Sequence, residues 1–348
     1  LSFFFFFMVS SINFSAGGFE ARYGDKMSSV LDIQYHKPKA FEGNVDLSLL
    51  GGALHLQDVS KNGKFTYNTG IRYKTNSYLL NSLDVDADYR PQFYDIQSFL
   101  TYQLQDDMEL NFLGHYSLNR YRFEPHSRET SFGTVQNALN LNVYYEGQEV
   151  DQFENYTGAL SWNYYPSSDL SLNFIGSTFH TSEEETYDIL GQYYLNELDK
   201  SMSSDTYGDS IMNIGVGGFL EHARNYLDGK IYSLSHKGSW MNGLHHFKWG
   251  LKFSHKRFDN QVNEWKMVDS AGYSIPYSDS EVNLYYSENA DNALSYERLS
   301  GYFQDTYTFS TIATKWYLNG GVRLTYGSLI NKLLISPRFS VSMEPRNY

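Results

Sequence analysis

Four groupings along the 348-residue chain have the residue types that chemistry uses. Glu183, Glu184, Glu185 and Asp188 bring carboxylates together at a density that could attract calcium, but their spacing is not that of a helix–loop–helix calcium loop. A solvated charge run is the plainer reading, and no metal is expected. His245 and His246 are adjacent, so on a strand they point to opposite faces and cannot grip one ion together; flanking a turn is their default role. Trp265, Asp269, Tyr273 and Tyr277 lie in a polar stretch with Tyr285 and Tyr286. Aromatic faces and hydroxyls among acids would suit a ligand with apolar faces, although tyrosines packing on neighbouring loops would look the same. Gly17, Gly18, Glu20, Arg22, Tyr23, Gly24 and Asp25, followed by Lys26, mix turn-forming glycines with charges. Such glycines let a backbone turn tightly and approach a wall, and charges in wet surroundings make weak, exchangeable ion pairs. They are candidates for gating, against a solvated turn with no such role.

The sequence contains no Gly-x-Ser-x-Gly, no His-Glu-x-x-His and no phosphate-cradling glycine loop. Nothing singles out a triad or a carboxylate pair, so neither catalysis nor a cofactor is expected. A net charge of -13 and a pI near 5.2 argue against a nucleic-acid partner, which wants a basic face. With no cysteine in the chain, neither disulfides nor thiolate metal sites hold it together.

The elements that must position these groups are strands. Tyr, Phe and Trp make up 17% of the chain, and only 7 prolines occur; this mixture with Gly, Asn and Ser favours strands and turns. Mean hydropathy is -0.49, and no run approaches the roughly 20 apolar residues of a membrane helix. Alternation is pervasive. Met108, Leu110, Phe112, Gly114, Tyr116 and Leu118 share one face, while Glu109, Asn111, His115, Ser117 and Asn119 share the other. Phe247, Trp249, Leu251 and Phe253 likewise alternate with Lys248, Lys252 and Ser254.

The pattern predicts twelve strands, at 42–51, 53–60, 64–76, 92–105, 108–124, 153–166, 170–182, 224–241, 245–258, 295–310, 315–328 and 334–344. Tight turns are expected at Lys61-Asn62-Gly63, Asp106-Asp107, Ser167-Ser168-Asp169, Asn242-Gly243 and Thr311 to Thr314. These alternate with long polar connections near 125–152, 183–221 and 259–295. Short turns on one side and long loops on the other suit a transmembrane antiparallel β-barrel better than a soluble sandwich. Tyr164, Tyr165, Trp240, Trp316 and Tyr317 beside the short turns fit an interfacial aromatic girdle. The apolar run Phe3 to Val9 has no basic residue before it and reads as a truncated start.

One stretch differs from the rest. Ser15-Ala16-Gly17-Gly18-Phe19-Glu20-Ala21-Arg22-Tyr23-Gly24-Asp25-Lys26-Met27-Ser28-Ser29-Val30-Leu31-Asp32-Ile33 resembles the end of the plug domain of TonB-dependent outer-membrane receptors. His222-Ala223-Arg224-Asn225, Lys248-Trp249-Gly250, Asn263-Glu264-Trp265, Asp269-Ser270-Ala271-Gly272-Tyr273 and Ser336-Pro337-Arg338 resemble the same family, in its order. Residues 1–9 read as a damaged or truncated start, and the resemblance implies the end of a plug domain at 10–38 and the N-terminal half of a barrel at 39–348, with about twelve of about 22 strands. It further implies the outer membrane of a Gram-negative bacterium and energy-coupled uptake of a bulky, scarce nutrient: a siderophore, vitamin, glycan or peptide. Implied partners are outer-membrane lipid, a TonB-type energy-coupling protein whose contact segment is absent here, an extracellular ligand and a surface lipoprotein. A passive porin, an adhesin or an inactive fragment are the alternatives, and the plug-like stretch speaks for the receptor.

Overall fold

The computed structural model describes residues 5–17, 19–25, 28–80, 87–134, 136–270, 273–281 and 283–345. Gly18 and Lys26, and the side chain of Tyr273, lie outside that description. The chain is almost entirely β. A 3-10 turn at Phe6–Met8 leads into β1 (Val9–Ala16), which pairs antiparallel with β2 (Ser29–Tyr35) as a small separate sheet. The wall follows: β3 (Glu42–Ser48), β4 (Gly51–Val59), β5 (Phe65–Thr75), β6 (Ala87–Tyr89), β7 (Gln92–Gln105), β8 (Met108–Pro125), β9 (Arg128–Thr134) and β10 (Asn137–Ser167). It continues with β11 (Leu170–Leu198), β12 (Ser210–Asn242), β13 (His245–Ser270), β14 (Tyr273–Ser274), β15 (Leu284–Ser310), β16 (Thr314–Gly327) and β17 (Lys332–Pro345). One helical turn, α1 (Ser77–Leu80), interrupts the β5–β7 connection. No helix among the described residues is long and apolar enough to cross a membrane.

The twelve principal strands pair in chain order from β3 to β17, with β6, β9 and β14 as short additions. Every pairing is antiparallel, so the wall is a continuous meander of the kind hairpin connections produce. Each of the twelve strands expected from alternation is present. The short turns also fall as expected, and Gly63 (φ 71°) and Gly243 (φ 61°) take the left-handed conformation that such turns need. Among the described residues β3 and β17 each have one neighbour and do not pair with each other, so the sheet is open there.

The long connections differ from expectation. Much of 125–152, 183–221 and 259–295 is strand: β10, β11, β12, β13 and β15 run for 31, 29, 33, 26 and 27 residues. The reason is pairing. Leu139↔Glu197 continues the ladder that starts at Ser167↔Leu170, so backbone groups bond to each other straight through the charge-rich stretch Glu146 to Gln152 and its partners Glu184 to Leu190. Alternation is present at Leu139, Leu141 and Val143 against Asn140 and Asn142, but the acidic stretches Glu146 to Asp151 and Glu183 to Glu185 interrupt it and read as loop.

Burial is inverted relative to a soluble domain. On the wall, His55, Gln57, Asn68, Asp95, Gln97, Glu109, His115, Ser233, Ser254, Gln304 and Arg323 are buried, while Leu56, Ile96, Phe112, Leu160, Phe174, Leu234, Leu251, Phe303 and Phe339 are exposed. Register assigns these two sets to opposite faces. Residues 111, 161, 175, 235, 252, 300, 325 and 334 lie in one row across β8 to β17, and the alternating positions on either side keep the two sets apart from strand to strand.

Candidate functional site

Two surfaces of the wall and the segment lying on one of them carry the functional reading. On the exposed apolar face, β12 presents Trp240, His236, Leu234 and Tyr232 in succession, then Lys230 and Asp228. Neighbouring strands change character at the same level. Phe247, Trp249, Leu251 and Phe253 on β13 give way to His255, Arg257 and Asp259; Phe303 and Leu299 on β15 give way to Glu297. Ion pairs mark this upper edge: Asp228 with Lys230 (2.6 Å) and His180 (2.6 Å), Arg257 with Asp259 (2.8 Å), and His255 with Glu297 (3.2 Å). Near the short turns, aromatic rings mark the lower edge. Trp240 lies 5.7 Å from Phe247, Trp162 packs on Tyr164, and Phe309 stacks on Trp316. The aromatics expected beside the turns at Tyr164, Trp240 and Trp316 are therefore on the apolar face. The ion-pair layer was missed, because only register brings His180, Asp228 and Lys230 together across two strands.

From Trp240 to Lys230 is ten residues, which at about 3.4 Å per residue and a tilt of about 45° rises about 24 Å. His245 and His246 divide between the faces, as adjacency requires. His245 stacks near Phe247 and pairs with Asp305 at 2.6 Å, whereas His246 meets Ser239 on the polar side at 2.7 Å.

The polar face holds the amino-terminal segment. Phe5 and Met8 are buried; Phe5 occupies the space where a side chain on Gly70 would be and lies under the Arg72 guanidinium. Asn68 donates to the His36 carbonyl (3.0 Å), Gln97 to the Tyr35 hydroxyl (2.9 Å), and Lys37 pairs with Glu109 at 2.6 Å. At the other flank, the Ala21 N–H donates to Gln304 (2.9 Å), and Arg338 donates to the carbonyls of Glu20 (2.7 Å) and Tyr23 (2.6 Å). If the wall were flat, β4 and β17 would be ten strand steps apart, about 48 Å; yet Tyr23, held by Arg338 of β17, bonds to Asp32, only about 14 Å of strand before His36, which meets Gln57 of β4 at 3.3 Å. The wall therefore curls around this segment, and the polar face is the concave one.

Within the segment, Gly17 (φ 79°) supplies a left-handed turn in open space, and Asp25 takes φ 61°. Gly24 has a different reason: a Cβ there would meet the Arg323 guanidinium at 2.3 Å. Glu20 pairs with Arg22 (2.7 Å) and with Lys248 on the wall (3.5 Å); Asp25 pairs with Arg298. Burial raises the Glu20 carboxyl, but Lys248 and then Arg22 outweigh it and hold the group below its ordinary range. Tyr23 donates to Asp32 at 2.6 Å, and burial first, then that bond, push its hydroxyl up. Arg22 lies over the Tyr23 ring at 4.4 Å.

The four aromatic and acidic ligand candidates are not brought together in a lumen. Trp265 and Asp269 belong to strand β13 rather than to a loop, and their register places them on the outward face. Trp265 stacks on His222 at 4.9 Å. Asp269 lines an outward cleft of about 640 Å³ beneath the loop Ser274 to Glu281, and Tyr277 is exposed. The Tyr273 backbone pairs with Ser270. The acidic run is also strand: Glu183 and Glu185 face inward, Glu184 and Asp188 outward. Glu185 instead approaches Glu149 and Asp151, with one oxygen from each within 4.8 Å of the others. Three such donors fall well short of the roughly six to eight oxygens that calcium takes. Burial, then mutual repulsion, raises both Glu149 and Asp151.

No family model and no curated protein matches the sequence. Among solved structures, the chain is similar to the ferric yersiniabactin uptake receptor FyuA from Yersinia pestis, at 9% identity and a TM-score of 0.28, over 86% of this chain and 57% of that one. It is similar to the ferripyoverdine receptor of the outer membrane of Pseudomonas aeruginosa at 8% identity and a TM-score of 0.23, over 91% and 60%. A monoaromatic hydrocarbon channel, CymD, gives 7% identity and a TM-score of 0.21, over 87% and 84%. The chain thus spans less than two thirds of either receptor. Superpositions this loose decide nothing about function.

Proposed function

We propose that the chain forms part of the wall of a β-barrel in the outer membrane of a Gram-negative bacterium, with residues 5–37 lodged in its lumen as part of a plug. One observation carries the reading: an outward apolar band, ten residues long on β12 and edged by aromatics below and ion pairs above, which at a barrel strand's tilt of about 45° would stand about 24 Å tall. A transmembrane barrel needs an apolar band of about 25 Å between interfacial girdles, with polar residues facing the lumen. A soluble protein would leave this band as a contiguous exposed apolar surface far beyond a few hundred Å². Strands of 26 to 33 residues exceed the roughly 9 to 11 needed to cross, so β10 to β13 project far beyond the long-loop side.

The lumenal segment favours energy-coupled uptake over a passive pore, because an open channel gains nothing from a body bonded to both flanks of its wall. The function we infer is that of a TonB-dependent receptor taking up a bulky nutrient, with an energy-coupling protein, an extracellular ligand and a surface lipoprotein as partners. The deciding experiment is refolding of the 348-residue chain with and without detergent or lipid. The expected result is a folded, β-rich species only when detergent or lipid is present, migrating differently on gels before and after boiling. Recovery of a compact soluble monomer from plain buffer would overturn the assignment.

A further inference from the structure

We infer that the wall face of β15 to β17 is a clasp for the main chain of the turn Phe19 to Tyr23. This rests on the lumenal placement proposed above and adds what holds the turn there. Five successive carbonyls, from Phe19 to Tyr23, are the acceptors. Arg338 Nη1 takes Glu20 (2.7 Å) and Tyr23 (2.6 Å) closely and Phe19 at 3.4 Å, while Arg323 Nη1 reaches Ala21 (3.4 Å) and Arg22 (3.5 Å). The two short bonds carry the grip, and the longer ones align the guanidinium planes. Gln304 completes the set by accepting from the one inward N–H, that of Ala21, at 2.9 Å.

Three features make this a site built for backbone. The Tyr23 N–H donates back to the Glu20 carbonyl at 3.1 Å, a tight turn that gathers the carbonyls on one side. Gly24 has no side chain where the Arg323 guanidinium lies, and Gly321 has none where Ala21 sits, so both surfaces are cleared for close approach. Ser300 accepts from Arg323 Nη2 at 2.9 Å and orients the guanidinium from behind. Among the turn's side chains, Arg22 turns to Glu20 and over Tyr23, and Tyr23 to Asp32, while Glu20 reaches Lys248 on the wall at a longer 3.5 Å and Ala21 packs on Gly321. Grip on carbonyls is indifferent to side-chain identity, and water can replace each bond as the turn leaves. The turn is thus a releasable latch whose strength resides mainly in Arg338, with Arg323 aligning it.

The test uses the full chain folded in detergent, with a single cysteine introduced by Ala21→Cys at a position only 1% exposed. The rate of labelling by a water-soluble maleimide reports opening of the turn. Slow labelling is expected in this parent. Arg338→Met, which keeps length but removes the donors, should accelerate labelling roughly tenfold or more, equivalent to about 1.4 kcal/mol. Gly24→Ala, which displaces Arg323 without touching the wall, should act in the same direction and serves if Arg338→Met does not fold. Arg22→Ala, which removes a turn side chain, should change the rate less than about twofold, well below that tenfold step. Unchanged rates in both Arg338→Met and Gly24→Ala, or an equal acceleration in Arg22→Ala, would overturn the clasp while leaving the segment docked. Rapid labelling of the Ala21→Cys parent would instead remove the lumenal placement itself.

Discussion

Leu234 separates a membrane wall from a soluble sheet with a single substitution. It is 68% exposed on the apolar face of β12, six residues from Trp240 at the aromatic edge. At about 3.4 Å per residue and a tilt near 45°, six residues climb about 14 Å, which is close to the middle of a band about 25 Å tall. On a soluble surface, Leu234→Lys would change stability by no more than about 0.5 kcal/mol, because so exposed a leucine has little burial to lose. At the middle of a hydrocarbon layer, lysine costs about 2–4 kcal/mol. Tyr226→Lys is the control: it lies on the same face of the same strand, 39% exposed, beyond the ion-pair level at Lys230. Its cost should stay below about 1 kcal/mol, as at an interface. The assay is a urea titration of the protein refolded into phosphatidylcholine vesicles, followed by tryptophan emission. Stability of Leu234→Lys within about 0.5 kcal/mol of the parent, or equal to that of Tyr226→Lys, would refute the assignment of the apolar face to lipid.

Two further outcomes follow from the geometry. A Cβ at position 321 would lie 2.9 Å from Ala21 Cβ, a little under the usual disulfide separation of about 3.5–4.5 Å. The same Cβ would meet the Phe303 carbonyl oxygen at 2.9 Å, so β15 and β16 must part by a few tenths of an ångström; with that shift, Ala21→Cys with Gly321→Cys should bridge in air with no competing thiol, visible as a non-reducing gel shift, and free thiols in a variant that folds as the parent does would count against the docking. At the far end of the long strands, Glu149 and Asp151 have folded pKa values raised above their ordinary 4.5 and 3.8. Their ionised forms therefore destabilise that region at neutral pH, and the penalty is relieved as pH falls through the raised values toward the ordinary ones. Amide exchange around 149–151 and 185, corrected for intrinsic rates, should slow on acidification from neutral, and Glu149→Gln should reduce the change without abolishing it, because burial and Glu185 raise Asp151 independently; faster exchange on acidification would contradict the sign.

Legibility varied with how far alternation ran uninterrupted along a strand. Where one face was apolar, as in Met108 to Leu118 or Phe247 to Phe253, alternation located the strand and the side facing out. Where charge interrupted the alternation, as at Glu146 to Asp151 and Glu183 to Glu185, the sequence looked like loop, and so did the patterned residues beyond it (Leu139, Leu141, Val143, Ile189), yet pairing made the whole length strand. The same misreading put Trp265 and Asp269 on a loop. Trp265 and Asp269 were grouped with Tyr277 by proximity along a supposed loop, whereas a strand turns Trp265 toward His222. The turn residues fared differently. Glycine and charge marked the turn near Gly17 to Asp25, but not the wall residues that hold it.

The amino-acid sequence by itself determined the all-β character, the twelve strands and their turns. All of these depend on period-two patterning and turn chemistry, which act between residues near in the chain. Tertiary structure alone decided that Arg338, Arg323 and Gln304 converge on Phe19 to Tyr23, and that ion pairs form a level edge above the apolar band. Those contacts join residues about 300 positions apart, or on neighbouring strands, and the relative register of strands sets them. Register is a property of the assembled sheet, since each strand's offset is fixed by the hydrogen bonds and turns of its neighbours.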